Sequence, residues 1–400
     1  MTTLACILIA IPLVFFGYAY VGYPLLLRVL ARFRPAPVQW GDPPEWPFIS
    51  ITIPAYNEER AIRRTIESLL ALDYPADRRQ ILIVSDASTD RTDAIVREYA
   101  DRGVELLRMP ERAGKTASEN AAVPLLRGEI VVNTDATIRI PPDSLKPLIR
   151  VFQDPTIGAA SGRDVSVGDI TAERTAGESG YVDYEMRVRS LETRMGSIIG
   201  ASGCFYAIRR SIIDSHFPVA LSRDFASPLR ARKLGYRTVS VDEAVCLVAR
   251  TTSLEKEFTR KVRTMARGLE TLWYMRELLN PLRYGSFAWM LWSHKLCRWL
   301  VHLTLPLALV GLSMLSPAMP VATALLVASA AVLAVGLFAL NWPRGRKAPR
   351  PVAMAGFFVA VNLAGLLAWI KALRGEQNPT WEPTRRPETA TDLARPARAE

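Results

Sequence analysis

The stretch Phe48-Ile49-Ser50-Ile51-Thr52-Ile53-Pro54-Ala55-Tyr56-Asn57-Glu58 decides how the middle of this chain folds. A short, almost wholly apolar run through Pro54 gives way abruptly to polar residues. The same pattern recurs where Gln80–Val84 leads into Ser85-Asp86-Ala87-Ser88-Thr89-Asp90, and where Glu129–Asn133 leads into Thr134-Asp135-Ala136-Thr137. Between these runs, Glu59–Leu72 has helical spacing at Ile62, Ile66, Leu69 and Leu70. Thr92–Tyr99 and Lys115–Leu126 read as further helices, and Val104–Leu107 as a strand. Continuously apolar strands separated by helices predict a parallel sheet covered on both faces, an α/β domain. Ligands of such sheets bind at the carboxyl ends of the strands, where the polar clusters fall.

Outward from this domain the composition changes. The chain has 400 residues, 50% of them hydrophobic, and the apolar ones are concentrated at the two ends. Residues 1–33 carry no charge before Arg28, and further runs lie near 299–316, 318–341 and 351–373. Each approaches or exceeds the roughly 20 apolar residues needed to span a bilayer core. The first run is too long for the apolar region of a signal peptide, and Tyr18, Tyr20, Tyr23 and Pro24 make no small-residue cleavage site. It therefore reads as a retained helix. The net charge is +11, and many of the basic residues flank apolar runs, among them Arg28, Arg32 and Arg34 and Arg344, Arg346, Lys347 and Arg350. That is the positive-inside pattern, with membrane lipids as partners; no basic stripe with interleaved aromatics points to nucleic acid. It places the soluble domain in the cytoplasm and the N-terminus outside, in a multi-pass protein of the inner or plasma membrane.

The resulting organisation is a transmembrane helix (1–33), a proline-rich linker (34–47), and a cytoplasmic α/β domain (48–285). An interfacial helix with about three membrane segments follows (286–373), then a partly disordered tail (374–400). Four full spans would put that tail outside, whereas Lys371, Arg374, Arg385 and Arg386 favour the cytoplasm. Leu300–Leu315, which contains Pro306, is the run expected to be interfacial or re-entrant. Four cysteines without a CxxC spacing and three scattered histidines leave no pattern for a zinc site.

Asp, Ser, Thr and Asn after a strand serve turns and helix caps as readily as ligands. Asp90, just before Thr92, reads as a cap. Three such clusters on one sheet edge exceed what capping requires. Nothing matches GxGxxG, and Arg112-Ala113-Gly114-Lys115-Thr116 lacks the first glycine of a phosphate-binding loop, so dinucleotide and ATPase readings lose their support.

Taken in order, these motifs resemble those of membrane-embedded family 2 glycosyltransferases, similar to poly-N-acetylglucosamine, cellulose and hyaluronan synthases. The resemblance implies a GT-A fold, a nucleotide-sugar donor and Mg²⁺ or Mn²⁺. Pro54, Ala55, Asn57 and Glu58 resemble the opening motif around the nucleotide. Asp86 resembles the aspartate that accepts the uracil N–H, and Lys115 the lysine of the family's Gly-Lys. Thr134 joins the donor contacts, and Asp135 resembles the metal-binding first acid of DxD, the second being replaced by Thr137. Ser222-Arg223-Asp224-Phe225, ahead of Gly235-Tyr236-Arg237, resembles the acidic motif that supplies the catalytic base. Asp224 takes that role, and Arg223 stands where the family usually has an acid. Ser202 and Gly203 resemble the turn lining the acceptor site. Arg260 and Arg263 stand where many synthases carry QxxRW, with the Trp replaced by Thr264, and Arg267 follows on the same basic stretch. Trp381-Glu382-Pro383-Thr384-Arg385 resembles a tail motif beside the active site.

The implied function is inverting, metal-assisted transfer from a UDP-sugar to a growing polysaccharide, with export or assembly partners. The alternatives are transfer of one sugar to a polyprenyl-phosphate or other lipid acceptor, and a non-catalytic nucleotide-sugar-binding membrane partner, suggested by Thr137, Arg223 and Thr264.

Overall fold

The computed structural model describes residues 1–35, 38–167, 173–249, 254–342, 348–376 and 380, and side chains throughout these except 167, 173–181, 249 and 254–257. It divides into two units. One is α/β and comprises Ala31–Thr251 with Thr271–Met275. The other is helical and is drawn from Met1–Leu30, Thr252–Glu270 and Arg276–Gln377.

In the α/β unit, seven strands form one sheet in the order β3-β2-β1-β4-β6-β5-β7. They are β1 (Ile49–Ala55), β2 (Arg79–Ser85), β3 (Val104–Arg108), β4 (Ile130–Thr134), β5 (Ile157–Val167), β6 (Phe205–Arg209) and β7 (Arg237–Ala249). Strand β1 is buried along its whole length, as its unbroken apolar run requires. Ile49, Ile51 and Ile53 each contribute about 1.5–3 kcal/mol of burial. Ile62, Ile66 and Leu69 of the helix Ile62–Leu70 pack into the same core; their i, i+4, i+7 spacing presents one face to the sheet.

Register positions the site. Strand β1 is parallel to both β2 and β4, with Ala55 opposite Ser85. The residues that follow β1 and β2 therefore emerge side by side. The chain runs from β1 outward to β3, then returns to place β4 on the other flank of β1. The crevice of an open α/β sheet lies at such a reversal.

The sheet is mostly parallel, as expected, with one exception. Strand β6 runs antiparallel between β4 and β5. Strands β5 and β7 were not apparent in sequence because Gly158, Gly162, Arg163 and Asp164 interrupt the first, and Asp242 and Glu243 the second. The helices of the first half begin where the sequence places them or a few residues inside, but end early. Lys115–Ala122, for example, gives way to a tighter 3₁₀ turn at Val123–Leu125, where Pro124 cannot donate to the helix ladder.

In the helical unit, Thr2–Ala31, Ser286–Leu315, Pro320–Leu340 and Arg350–Leu373 are long and apolar enough to cross a membrane. The stretch read as an interfacial helix leads without a break into the run after it, and the α-helix Cys297–Leu315 passes through Pro306. Wider π turns occur at Tyr18–Gly22 and Trp292–Leu296. Polar side chains in this unit are bonded to one another. Trp289 Nε1 donates to the Tyr18 hydroxyl at 3.0 Å, and His302 Nδ1 lies 2.9 Å from Asn362 Oδ1. Without water, such groups need partners within the protein.

Inside the sheet, the buried Ser50 hydroxyl donates to Gln80 Oε1 and accepts the Gly128 N–H at 2.8 Å, holding the turn that launches β4. Ser50→Ala strands that buried N–H. Stability should fall by about 1–3 kcal/mol in thermal or denaturant unfolding of the solubilised protein.

Candidate functional site

The first two polar clusters are laced together. Asn57, with φ +52°, accepts the Thr89 N–H through Oδ1 at 2.8 Å, and its own N–H donates to Ser88 Oγ. The Glu58 N–H donates to Thr92 Oγ1 at 2.8 Å. Asp90 accepts the N–H groups of Thr92 and Glu59; it stands one residue before the N-cap, Arg91, so it braces the first turn of that helix from just outside the capping position expected for it. Asn57 and Glu58 are thus half-buried at the rim, whereas Pro54 and Ala55 are buried within β1. The Ala55 carbonyl accepts the Asp86 N–H at 2.8 Å.

Asp86 is fully buried, and its two carboxylate oxygens accept the N–H groups of Ala113 and Gly114 at 2.8 and 2.9 Å. Gly114 has φ +95°, which a side chain would resist. It turns the backbone so that the next residue opens the helix Lys115–Ala122. Asp86 therefore sets where Lys115 begins. The Arg112 guanidinium stacks 3.9 Å from the centre of the Tyr56 ring, closing the opening-motif side of the same crevice.

Lys115 Nζ donates to Asp135 Oδ1 at 2.5 Å and to the Gly203 carbonyl at 3.2 Å. Burial pulls the ammonium's pKa down, but the carboxylates of Asp135, Glu119 and Asp224 more than reverse this, and it lies above the ordinary lysine range. The group is cationic throughout the neutral range.

Asp135 follows β4 and is half-buried. Thr134 is fully buried, with its hydroxyl donating to the Cys204 carbonyl at 2.8 Å, so its side chain braces the turn rather than lining the crevice. Lys115 occupies Asp135 Oδ1 and leaves Oδ2. Among the described residues no three His, Cys, Asp or Glu side chains cluster as a metal site. A one-carboxylate arrangement fits Mg²⁺ or Mn²⁺ when phosphate oxygens complete the shell; it does not fit a dedicated all-protein cage.

Asp224 lies in the first turn of the helix Arg223–Lys233, where Ser222 Oγ donates to its Oδ1 at 2.6 Å. Its other oxygen rests against Gly203: a Cβ at that position would stand 2.9 Å from Oδ2. The helix Lys115–Ala122 is tied to the loop preceding Asp224. Thr116 Oγ1 donates to the Leu221 carbonyl, and Asn120 bonds both the N–H and the carbonyl of Phe217. Ser202 is buried and donates to Asp164 Oδ1 at 2.5 Å, so it shapes the turn that presents Gly203.

Lys115, Asp135, Gly203 and Asp224 thus form one run of contacts at the carboxyl edge of the sheet, with Asp86 holding the backbone just ahead of Lys115 and Asn57 and Glu58 bonded to the loop after β2. Arg260 and Arg263 stand on the helix Leu254–Tyr274, within the helical unit. Trp381–Arg385 lies outside the described residues. Sequence reading missed Glu119, Asn120 and Asp164. Within the helix at Lys115 and the unrecognised β5, nothing sets them apart from surface residues. Glu119 and Arg223 point into the interior as an ion pair, so the charge of Arg223 faces Glu119. Burial pushes the Glu119 carboxyl up, against the opposing pull of Arg223 and Lys115.

This architecture is a GT-A fold. The mannosyltransferase from Pyrobaculum calidifontis, solved in complex with GDP-Man and Mn²⁺, superposes with a TM-score of 0.70 over 92% of this chain and 100% of that one, at 24% identity. Residues 50–217 match the family model described as glycosyl transferase family 2, and they make up a family 2 glycosyltransferase domain. The beta-monoglucosyldiacylglycerol synthase of Nostoc sp. is 30% identical over 173 residues, 42% of this chain and 37% of that protein. An N-acetylglucosaminyltransferase of Mesorhizobium japonicum is 29% identical over 229 residues, 51% and 53% of the respective chains. The alignments thus span about a third to a half of these curated relatives.

Gly203→Ala places a methyl group against Asp224 without demanding a new backbone conformation. Sugar transfer should fall by about 10-fold or more with the unfolding midpoint little changed, as measured by initial rates and thermal melts on the same preparation.

Proposed function

We propose that this chain is a membrane-held glycosyltransferase that moves a sugar from a nucleoside diphosphate donor to an acceptor hydroxyl with inversion at the anomeric carbon. The observation that carries this reading is the convergence of Lys115, Asp135 and Asp224 around the Gly203 turn. A cation and a carboxylate suited to a diphosphate stand beside a second carboxylate suited to a proton.

In this reading the nucleotide lies over the ends of β1 and β2, between the Asn57–Glu58 loop and the loop held by Asp86. Each Asp86 oxygen retains acceptor capacity beyond its backbone N–H, which suits the imide N–H of uracil and a UDP-sugar donor. Lys115 faces the diphosphate, where negative charge grows as the glycosidic bond breaks. Asp224 removes the proton of the acceptor hydroxyl as its oxygen attacks from the side opposite the diphosphate, and this geometry inverts the centre. Asp135 would hold a divalent cation, which would supply further neutralisation of the charge on the leaving nucleotide. Thr137 follows two residues after Asp135 and supplies no second carboxylate. Arg260 and Arg263 keep the donor role that the resemblance to QxxRW implies.

The preferred acceptor is a growing polysaccharide. A second reading, one sugar added to a lipid acceptor, has its own support in the four apolar helices, in Thr264 at the tryptophan position of QxxRW, and in relatives named as glucosyldiacylglycerol synthases. A ladder of products supports the first acceptor; a single product overturns it in favour of the second. The proposed topology has the glycosyltransferase domain in the cytoplasm. With four spans, the loop carrying Arg344, Arg346 and Lys347 is cytoplasmic and the C-terminal tail outside. A reporter fused at Glu400 that is active only in the cytoplasm overturns the four-span count.

Asp224→Asn should lower transfer by about 10²–10⁴-fold while leaving nucleotide binding intact, as read by nucleotide release across a panel of UDP-sugars and by equilibrium binding of UDP. An unchanged rate would remove Asp224 from the base role; no nucleotide release by the unsubstituted protein from any UDP-sugar would favour a non-catalytic partner instead. Lys115 has a raised pKa, so its charge is present below the ordinary lysine pKa of about 10.4 and is lost only above it. Donor affinity should therefore show no alkaline loss from this group up to about pH 10. Lys115→Met should weaken donor binding across that whole range.

A further inference from the structure

Behind the crevice, the helices Lys115–Ala122 and Arg223–Lys233 meet through charged side chains that the proposed reaction does not use. Glu119 and Arg223 are 2% and 3% exposed, and Arg223 Nε lies 3.7 Å from Glu119 Oε2. The guanidinium also donates from Nη1 to Asn120 Oδ1 at 3.1 Å and lies 5.2 Å from the centre of the Phe217 ring. Among the described residues, neither Glu119 oxygen has a hydrogen-bond partner, and the buried Tyr206 hydroxyl and Ser227 Oγ have none either.

Stability alone is a poor reason for such a pair. Burying two opposite charges costs so much desolvation that apolar residues of similar volume often serve as well or better. What a charged pair adds is a directional constraint between the elements that carry it. Here those elements are the two that carry the reacting groups. Glu119 lies one helical turn after Lys115, on the same face, and Arg223 immediately precedes Asp224. An acid at position 223, usual in the resembled family, would set two like charges in this dry interior. Arginine there matches Glu119, and its planar fork reaches Glu119 and Asn120 together.

We propose that Glu119 and Arg223 are a coupled positioning pair that fixes Asp224 relative to Lys115, and so governs the rate of transfer rather than donor binding. The proposal rests on the reading of Asp224 as the base and Lys115 as a donor contact. Either charge alone is an unpaired buried ion, so single neutral variants are expected to fold poorly. The informative variants are the double Glu119→Gln/Arg223→Met, which removes both charges, and Arg223→Lys, which keeps the charge without the fork.

Both are measured in the whole protein, alongside Asp224→Asn, for nucleotide release with UDP-sugars, donor KM and unfolding midpoint. Positioning predicts a kcat on the order of 10²-fold lower, with donor KM within about 2-fold of the unsubstituted protein, in each variant whose midpoint is retained. The pair is overturned if either variant, with its midpoint retained, keeps full kcat. It is equally overturned if kcat falls only in proportion to the folded fraction. If Asp224→Asn keeps full activity, the catalytic reading fails and the proposal with it. Loss in Asp224→Asn beside full activity in the double variant sinks the proposal alone.

Discussion

One ammonium group holds the site together. Lys115 Nζ bridges the carboxylate that follows β4 and the backbone carbonyl of Gly203. A partly buried lysine is costly to charge unless acidic groups lie near it, and here Asp135, Glu119 and Asp224 do so. The same requirement draws together three segments far apart in the chain: the helix at Lys115, the end of β4 and the turn before β6. The placement of Lys115 rests in turn on Asp86, whose carboxylate captures two consecutive backbone N–H groups just ahead of it. Carboxylate and ammonium therefore act in series, one fixing the loop and the other closing the crevice.

Small residues matter at this edge because charged ones must approach closely. Gly203 leaves room for the Asp224 carboxylate, and Gly114 supplies the left-handed turn that presents its N–H to Asp86. The neighbouring polar residues satisfy the backbone that the turns expose. Thr134 bonds the Cys204 carbonyl, Ser202 bonds Asp164, and Asn57 bonds the loop after β2. Residues singled out from their motifs thus also brace the turns at this edge: Thr134 and Ser202 around Gly203, and Asn57 at the loop after β2.

Much of the first half of the domain was legible in advance. Strands β1, β2 and β4 have nearly continuous apolar runs because they are buried on both faces, and this signal survives without any partner; β3, at the sheet edge, is only partly buried. The second half was not legible. Strands β5 and β7 carry glycine and charge, and β6 is short and reverses direction. Their pairing depends on neighbours distant in sequence. Asp135 and Asp224 could be nominated from motif order, but nothing local indicated that Glu119 would face Arg223 across the interior. A glutamate in the middle of a helix reads as a solvent-facing residue until tertiary packing covers it.

Sequence alone determined the α/β class, the apolar helices at both ends and the acidic and basic groups offered at the strand ends. Hydrophobic period and run length carry that information locally. Only the tertiary structure decided which of those polar groups face one another. Coulombic and hydrogen-bond partnerships require approach to within a few ångströms, and in this chain that approach is made between residues far apart in sequence: Asp86 with Gly114, Lys115 with Asp135 and Gly203, and Glu119 with Arg223.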